Sequence, residues 1–255
     1  MLVPLLHSLG FLTTGFLSLF IVRRDFKVGF VFPSLNAIVS EMRDGWHIFV
    51  STVALSLYTV SNTFILGLLT GDVFVGYYSI AERIIKAIQG LILLPVSQTI
   101  YPHISKLAHQ SADWAIAFVG RVLKVVGFAA FIVCLLVFIF AARICGLVQG
   151  GQYEQSVIVL RILAFIPFIT ALSNMFGIQT MLTFNMKEAF SRIILAAGIL
   201  NVLLVVLLAP AYMHVGAALS LLTTEIFVTV TMFAYLKYKD VNVIRWPMFG
   251  IRSVE

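Results

Sequence analysis

Seven long apolar runs, each near the length of a membrane-spanning helix, constrain this chain more than any other feature. A spanning helix needs about 20 mostly apolar residues, because in hydrocarbon every backbone N–H and C=O must be paired within the chain. The runs extend from Leu2 to Val22, Trp46 to Leu69, Phe74 to Ile100, Ala115 to Ala142, Val157 to Phe184, Ile193 to Tyr212 and Gly216 to Leu236, helix one to helix seven. The chain is 61% hydrophobic and only 11% charged, whereas a soluble domain carries about 25% charged residues to solvate its surface. A water-soluble globule, a disordered chain and a disulfide-stapled scaffold are thereby excluded. Cys134 and Cys145 lie in one run, where helical geometry holds them roughly 16 Å apart, beyond disulfide reach.

The cations report orientation. Helix one lacks the basic n-region of a cleaved signal and ends in Arg23-Arg24, which reads as a cytoplasmic stop. One side of the membrane receives Arg23, Arg24, Lys27, Arg43, Lys106, Arg121, Lys124, Lys187, Arg192, Lys237, Lys239, Arg245 and Arg252; the other receives only Arg83, Lys86, Arg143 and Arg161. The positive-inside rule then predicts an N-terminus outside and a C-terminus in the cytoplasm. The net charge of +6 is explained by topology, with no nucleic-acid partner. Trp46, Tyr101, Trp114, Tyr212 and Trp246 fall at expected helix ends, where amphipathic rings favour the interface. Gly71-Asp72 and Met213-His214-Val215 read as tight turns, and the loop from Arg23 to Gly45 has room for a short surface helix.

Polar residues inside the runs mark candidate sites, since an ionisable group facing lipid costs about 2.5–3.5 kcal/mol even on the lenient insertion scale. The purely apolar part of helix three, Ala87 to Ile100, covers only about 21 Å of a ~30 Å core. The turn holding Glu82, Arg83 and Lys86 must therefore lie at membrane depth or just under the outer interface. Tyr78, Glu82, Lys86 and Gln89 fall within a sector of about 80°, with Arg83 beside it. Two arrangements satisfy this pattern: a cluster lining a cavity, or a Glu82–Lys86 i, i+4 pair that neutralises itself and leaves Arg83 over. Helix two carries Ser51, Tyr58 and Asn62 on one stripe, suited to the same interior or to interhelical hydrogen bonding. Arg161 lies about a turn from the outer end of helix five, as a snorkelling anchor or a cavity residue, with Asn174 and Gln179 deeper. Glu225 sits mid-span in helix seven beside Thr224 and near Thr229, a candidate for proton or cation coupling or for a structural hydrogen bond. His7 in helix one is a weaker candidate of the same kind. Pro95, Pro167 and Pro210 lie at kink positions or near helix ends.

No catalytic constellation is present: no Asp-x-Asp, no H-E-x-x-H, no P-loop and no G-x-S-x-G. His7, His47, His103, His109 and His214 scatter without a metal-ligand spacing, so neither an enzyme, a metal nor a cofactor is expected. Without an ATPase motif, a secondary transporter or passive flippase is favoured, with a seven-helix receptor as the rival from another class.

Three blocks carry a resemblance to a known family. The first runs Val75-Gly76-Tyr77-Tyr78-Ser79-Ile80-Ala81-Glu82-Arg83-Ile84 and continues at Leu94-Pro95-Val96-Ser97-Gln98-Thr99-Ile100-Tyr101-Pro102-His103-Ile104-Ser105. The second joins Gly150-Gly151-Gln152-Tyr153 to Val159-Leu160-Arg161-Ile162-Leu163-Ala164-Phe165-Ile166-Pro167; the third joins Leu208-Ala209-Pro210 to Val215-Gly216-Ala217-Ala218-Leu219 and Glu225. Together they resemble the polysaccharide and O-antigen flippases of the multidrug/oligosaccharidyl-lipid/polysaccharide exporter superfamily. The resemblance implies an all-α polytopic membrane protein in which 46–236 form the six-helix C-terminal bundle of a twelve-helix transporter. Residues 1–22 would be the last helix of an otherwise missing N-terminal bundle, 23–45 a cytoplasmic connection and 237–255 a cytoplasmic tail. It further implies a bacterial inner-membrane location and an undecaprenyl-diphosphate-linked oligosaccharide moved by alternating access around a cationic cavity. Arg83 and Lys86 would then suit a diphosphate or an acidic sugar. The implied partners are that lipid-linked oligosaccharide, membrane lipids, the missing half and polysaccharide assembly proteins. A drug or metabolite exporter of the same superfamily is the alternative within transport.

Overall fold

The computed structural model describes residues 2–25, 33–149 and 154–241; the side chains of 2–7, 44, 47, 57–59 and 149 lie outside the description, as do those of Tyr58 and His7. Also outside it are Lys27, the Gly150–Tyr153 block, Arg245, Trp246 and Arg252. The elements are α1 (Leu2–Asp25), α2 (Leu35–Thr70), α3 (Asp72–Gln110), α4 (Ala112–Gln149), α5 (Glu154–Leu163), α6 (Ile166–Phe176), a π-helical turn (Gly177–Leu182) and α7 (Lys187–Tyr238). No strand occurs among the described residues. Among the described residues five stretches are long and apolar enough to cross a membrane: Ile48–Thr70, Asp72–Gln110, Ala112–Val148, Glu154–Leu182 and Lys187–Tyr238. The last contains a reversal at Met213 (φ 52°, ψ −128°), and its two limbs are each about 40 Å long, enough for one crossing apiece. With the 24-residue α1, the seven expected spans are accounted for.

The chain divides into two units, Met1–Gly45 and Trp46–Glu255. In the first, the side chains of α1 from Ser8 onward are exposed. The Thr13 and Thr14 hydroxyls donate back to carbonyls of the preceding turn, Thr14 Oγ1 to Gly10 O at 2.8 Å. Such back-bonding lets a hydroxyl occupy an apolar helix without an unsatisfied donor. α2 starts at Leu35, within the stretch expected to hold a short surface helix, and continues as one helix into its apolar run.

In the second unit three of the breaks have a residue that explains them. Gly71 turns α2 into α3 at φ 94°, a left-handed conformation that costs glycine nothing. The fifth run, expected as one helix, is divided. Pro167 at the start of α6 has no N–H to continue the ladder, so Ala164 and Phe165 form a turn between α5 and α6. The π turn beyond α6 brings Gly177 against Phe190 and Met232 of α7, where a Cβ would lie 2.8 Å from the Phe190 ring. Asn185 (φ 59°) then reverses the chain into α7.

Two apolar clusters fill the unit. One gathers Leu66, Ile85, Val137, Leu160, Ile166, Val205 and Leu221; the other gathers Ala54, Val96, Val119, Met175, Ala197, Val228 and Met232. Both cysteines are buried free thiols. Large side chains such as Phe128, Leu207 and Val230 are exposed, the surface that lipid, not water, would solvate. The two limbs of α7 approach so closely beyond Met213 that a Cβ on Gly216 would collide with the Leu208 carbonyl. Gly216→Val should therefore lower unfolding stability by about 1–3 kcal/mol or more, whereas Gly76→Ala, with open space at its Cβ, should change it little; thermal unfolding in detergent compares the two.

Candidate functional site

The helices pass from one apolar cluster to the other through a polar layer. On α3 the crossing falls at Gln89, between Ile85 and Val96; on α6 at Thr170, between Ile166 and Met175. On α7 it falls at Asn201, between Ala197 and Val205, and again at Thr224 and Glu225, between Leu221 and Val228. Interhelical hydrogen bonds join these positions. Gln89 Nε2 donates to Thr170 Oγ1 at 3.0 Å, tying α3 to α6. Asn201 Nδ2 donates to Thr224 Oγ1 at 3.2 Å, tying the limbs of α7. Thr229 Oγ1 reaches Ile169 O at 3.3 Å and Glu225 O at 2.9 Å, tying α7 to α6.

The Asn201 amide orientation follows from its partner. Thr224 Oγ1 donates its proton to Ser220 O at 2.8 Å, so it can only accept from Asn201, and the amide nitrogen must point to it. Asn201 Oδ1 then faces the interior with no hydrogen-bond partner, as do Asn62 Oδ1 and Gln179 Oε1. All three are acceptors in buried residues, Asn201 within the layer, Asn62 beside Tyr78 and Gln179 in the π turn, so each offers lone pairs to water or another donor. Glu225, 6% exposed, is the carboxyl of this layer. Among the described residues no group of three or more His, Cys, Asp and Glu is placed to hold a metal ion.

The polar face of α3 rolls from the bundle interior to its surface. Tyr78 is fully enclosed, its Oη 3.5 Å from Asn62 Nδ2 on α2. Glu82 is buried, and Lys86 Nζ reaches back to its Oε1 at 3.0 Å, with side-chain exposures of 51% for lysine and 11% for glutamate. Arg83 lies wholly on the exposed side. Local pairing of Glu82 with Lys86 is thus present, and both cations remain exposed on a helix that also exposes Leu91 and Leu94.

The other expected residues are dispersed. Arg161 is exposed, its guanidinium 5.9 Å from the Phe138 ring centroid, a cation–π approach from α5 to α4. Asn174 is half-buried and accepts from Gln179 Nε2 at 3.4 Å across the π turn. Ser51 is buried on α2. Sequence reasoning missed Asn201, although an asparagine in the middle of a spanning run is itself a signal. It also missed the environment of His214, which stacks on Phe74 (5.5 Å, 11°), touches Tyr77 and meets Gln155 Oε1 at 3.2 Å.

Residues 1–108 match the family described as "Polysaccharide biosynthesis protein". A candidate O-antigen transporter of Escherichia coli (strain K12) is 36% identical over 232 residues, 91% of this chain and 56% of the relative. Another from Shigella dysenteriae is 25% identical over 234 residues, 91% of this chain and 57% of the relative. The chain thus spans about half the length of these curated relatives. No solved structure matches it.

The Asn201–Thr224 bond yields a double-mutant test. Thr224→Val strands the Asn201 amide and should cost about 1–2 kcal/mol, while adding Asn201→Leu should recover much of it, because an apolar pair leaves no unsatisfied group. Thermal unfolding in detergent of both single variants and the double variant measures the coupling.

Proposed function

We propose that this chain, whose first 108 residues match the polysaccharide biosynthesis family and which is similar to O-antigen transporters over about half of their length, is part of a flippase for lipid-linked oligosaccharide. The substrate is an undecaprenyl-diphosphate-linked O-antigen or other surface-polysaccharide repeat unit, moved across the bacterial inner membrane by alternating access. One observation carries this reading: α3 buries Tyr78 and Glu82 while leaving Arg83 and Lys86 exposed within a run of otherwise apolar outer residues. Cations at membrane depth are not stable against lipid tails. They are stable against a watery path or an anion.

A diphosphate meets that requirement. Arg83 offers a planar fork for two phosphate oxygens, and Lys86 offers a mobile ammonium that Glu82 holds in place until an anion competes for it. Gln89, Asn62 and Tyr78 brace the same stretch of α3 from within the bundle, so the cations are carried on a fixed helix. Arg161 and Asn174 are secondary contacts to the same substrate path. Glu225 is the coupling group: a carboxyl inside the bundle, on a limb tied to α6 through Thr229, whose proton or counter-ion can change as the bundle moves. Membrane lipids, a second helical bundle and polysaccharide assembly proteins complete the system, with the N-terminus outside and the C-terminus in the cytoplasm.

The test joins this chain to the N-terminal half of a full-length relative in a strain lacking its own flippase. Surface polysaccharide should return, Arg83→Ala with Lys86→Ala should cut it roughly tenfold or more through the loss of two charge-assisted contacts, and Lys86→Arg should retain most export. Full export by the double alanine variant would refute the cationic role. Restored drug tolerance without polysaccharide would assign a drug exporter instead.

A further inference from the structure

At the end of the bundle opposite the Met213 reversal, the start and the finish of α7 line a half-open pocket of about 560 Å³. That volume lies within the ~300–1,000 Å³ of small-molecule sites. Its walls are the turn ending at Asn185, the first turns of α7 with Glu188, Arg192 and Ile193, and the last turns with Tyr235 and Lys239. None of these residues belongs to the polar layer or to the cationic turn of α3.

The charges fit an anion. Arg192 and Lys239 line the pocket, and Lys187 and Lys237 flank it on the same helix ends, against the carboxylates of Glu188 and Asp240. Arg192 bonds Glu188 at 2.5 Å, with side-chain exposures of 77% and 61%. An exposed pair of this kind contributes little, so an incoming phosphate can take the guanidinium without a large loss. Lys239 Nζ lies 5.8 Å from the Tyr238 ring and is held by no carboxylate in the described residues. The first turn of α7 receives no side-chain cap. Met186, Ala189 and Tyr235, all partly exposed, supply an apolar wall beside these polar groups, with buried Ile193 behind them.

We propose that this pocket binds a phosphate-bearing anion, with the headgroup of an anionic phospholipid as its source, the phosphate on Arg192 and Lys239 and an acyl chain along Met186, Ala189 and Tyr235. Two features favour a lipid. The site lies at the end where spanning helices leave hydrocarbon, and its walls combine cations with apolar surface, the pattern of basic headgroup pockets between spanning helices. The inference stands independently of the transport reading.

The experiment uses the full chain in micelles of a maltoside detergent, which carries no phosphate, titrated with phosphatidylglycerol or with inorganic phosphate, reading ligand-dependent thermal stabilisation. Phosphatidylglycerol should stabilise the wild type, and Arg192→Gln with Lys239→Gln should raise the concentration required roughly tenfold or more. Glu188→Gln should lower it, and Lys106→Gln, outside the pocket, should leave it unchanged. Weakening of both ligands by the double variant supports the phosphate site with a free anion as a source; weakening of phosphatidylglycerol alone supports the lipid headgroup. An unchanged response in a double variant that unfolds like wild type in the detergent alone, or no response in the wild type, would overturn the proposal.

Discussion

Hydrocarbon offers no hydrogen bonds, and the rest of this structure follows from that constraint. Every polar group in the apolar runs must find a partner inside the protein or reach a place where water does. The backbone solves the problem by remaining helical. Where Pro167 breaks the ladder, the turn at Ala164 and Phe165 is packed inside the bundle. Hydroxyls on α1 and α7 turn back to carbonyls of the preceding turn.

The same constraint divides the interior into three levels. Apolar clusters occupy the two ends, and polar side chains gather at the middle crossing of α3, α6 and both limbs of α7. Hydrogen bonds at that level fix which helix faces which, since a rotated helix would leave an amide or hydroxyl stranded. They contribute less cohesion than close packing would. A bundle with apolar clusters at its ends and hydrogen bonds between helices at its centre is compatible with the transport proposed above. The unpartnered oxygens of Asn62, Gln179 and Asn201 lie in buried positions of this interior.

Much of this was legible in the sequence where the signal is local. The spans follow from composition, the Gly71 turn from a glycine between two apolar runs, and the Glu82–Lys86 pair from i, i+4 spacing. The division of the fifth span was only half legible: Pro167 marks a kink, but the π turn depends on the fit of Gly177 against Phe190 and Met232, which lie far along the chain. The bond between Asn201 and Thr224 was not legible, because 23 residues separate them and only the reversal at Met213 sets one beside the other. The stacking of His214 on Phe74 depends likewise on two helix ends meeting. For the α3 cations, periodicity gave one polar face, yet the boundary between buried Glu82 and exposed Arg83 is set by the packing of neighbouring helices.

That boundary is where the transport reading is most exposed. If the outer face of α3 meets a watery path and a diphosphate, Arg83 is at a functional surface; if it meets lipid, the assignment fails. Single-cysteine labelling decides this directly, in membranes where the chain is joined to the N-terminal half of a relative and Cys134 and Cys145 are replaced by alanine. With a charged, membrane-impermeant maleimide, Arg83→Cys should react readily and be protected by added lipid-linked oligosaccharide, while Ile139→Cys, on the exposed apolar stretch of α4, should not react. Equal inertness at both positions would contradict the account.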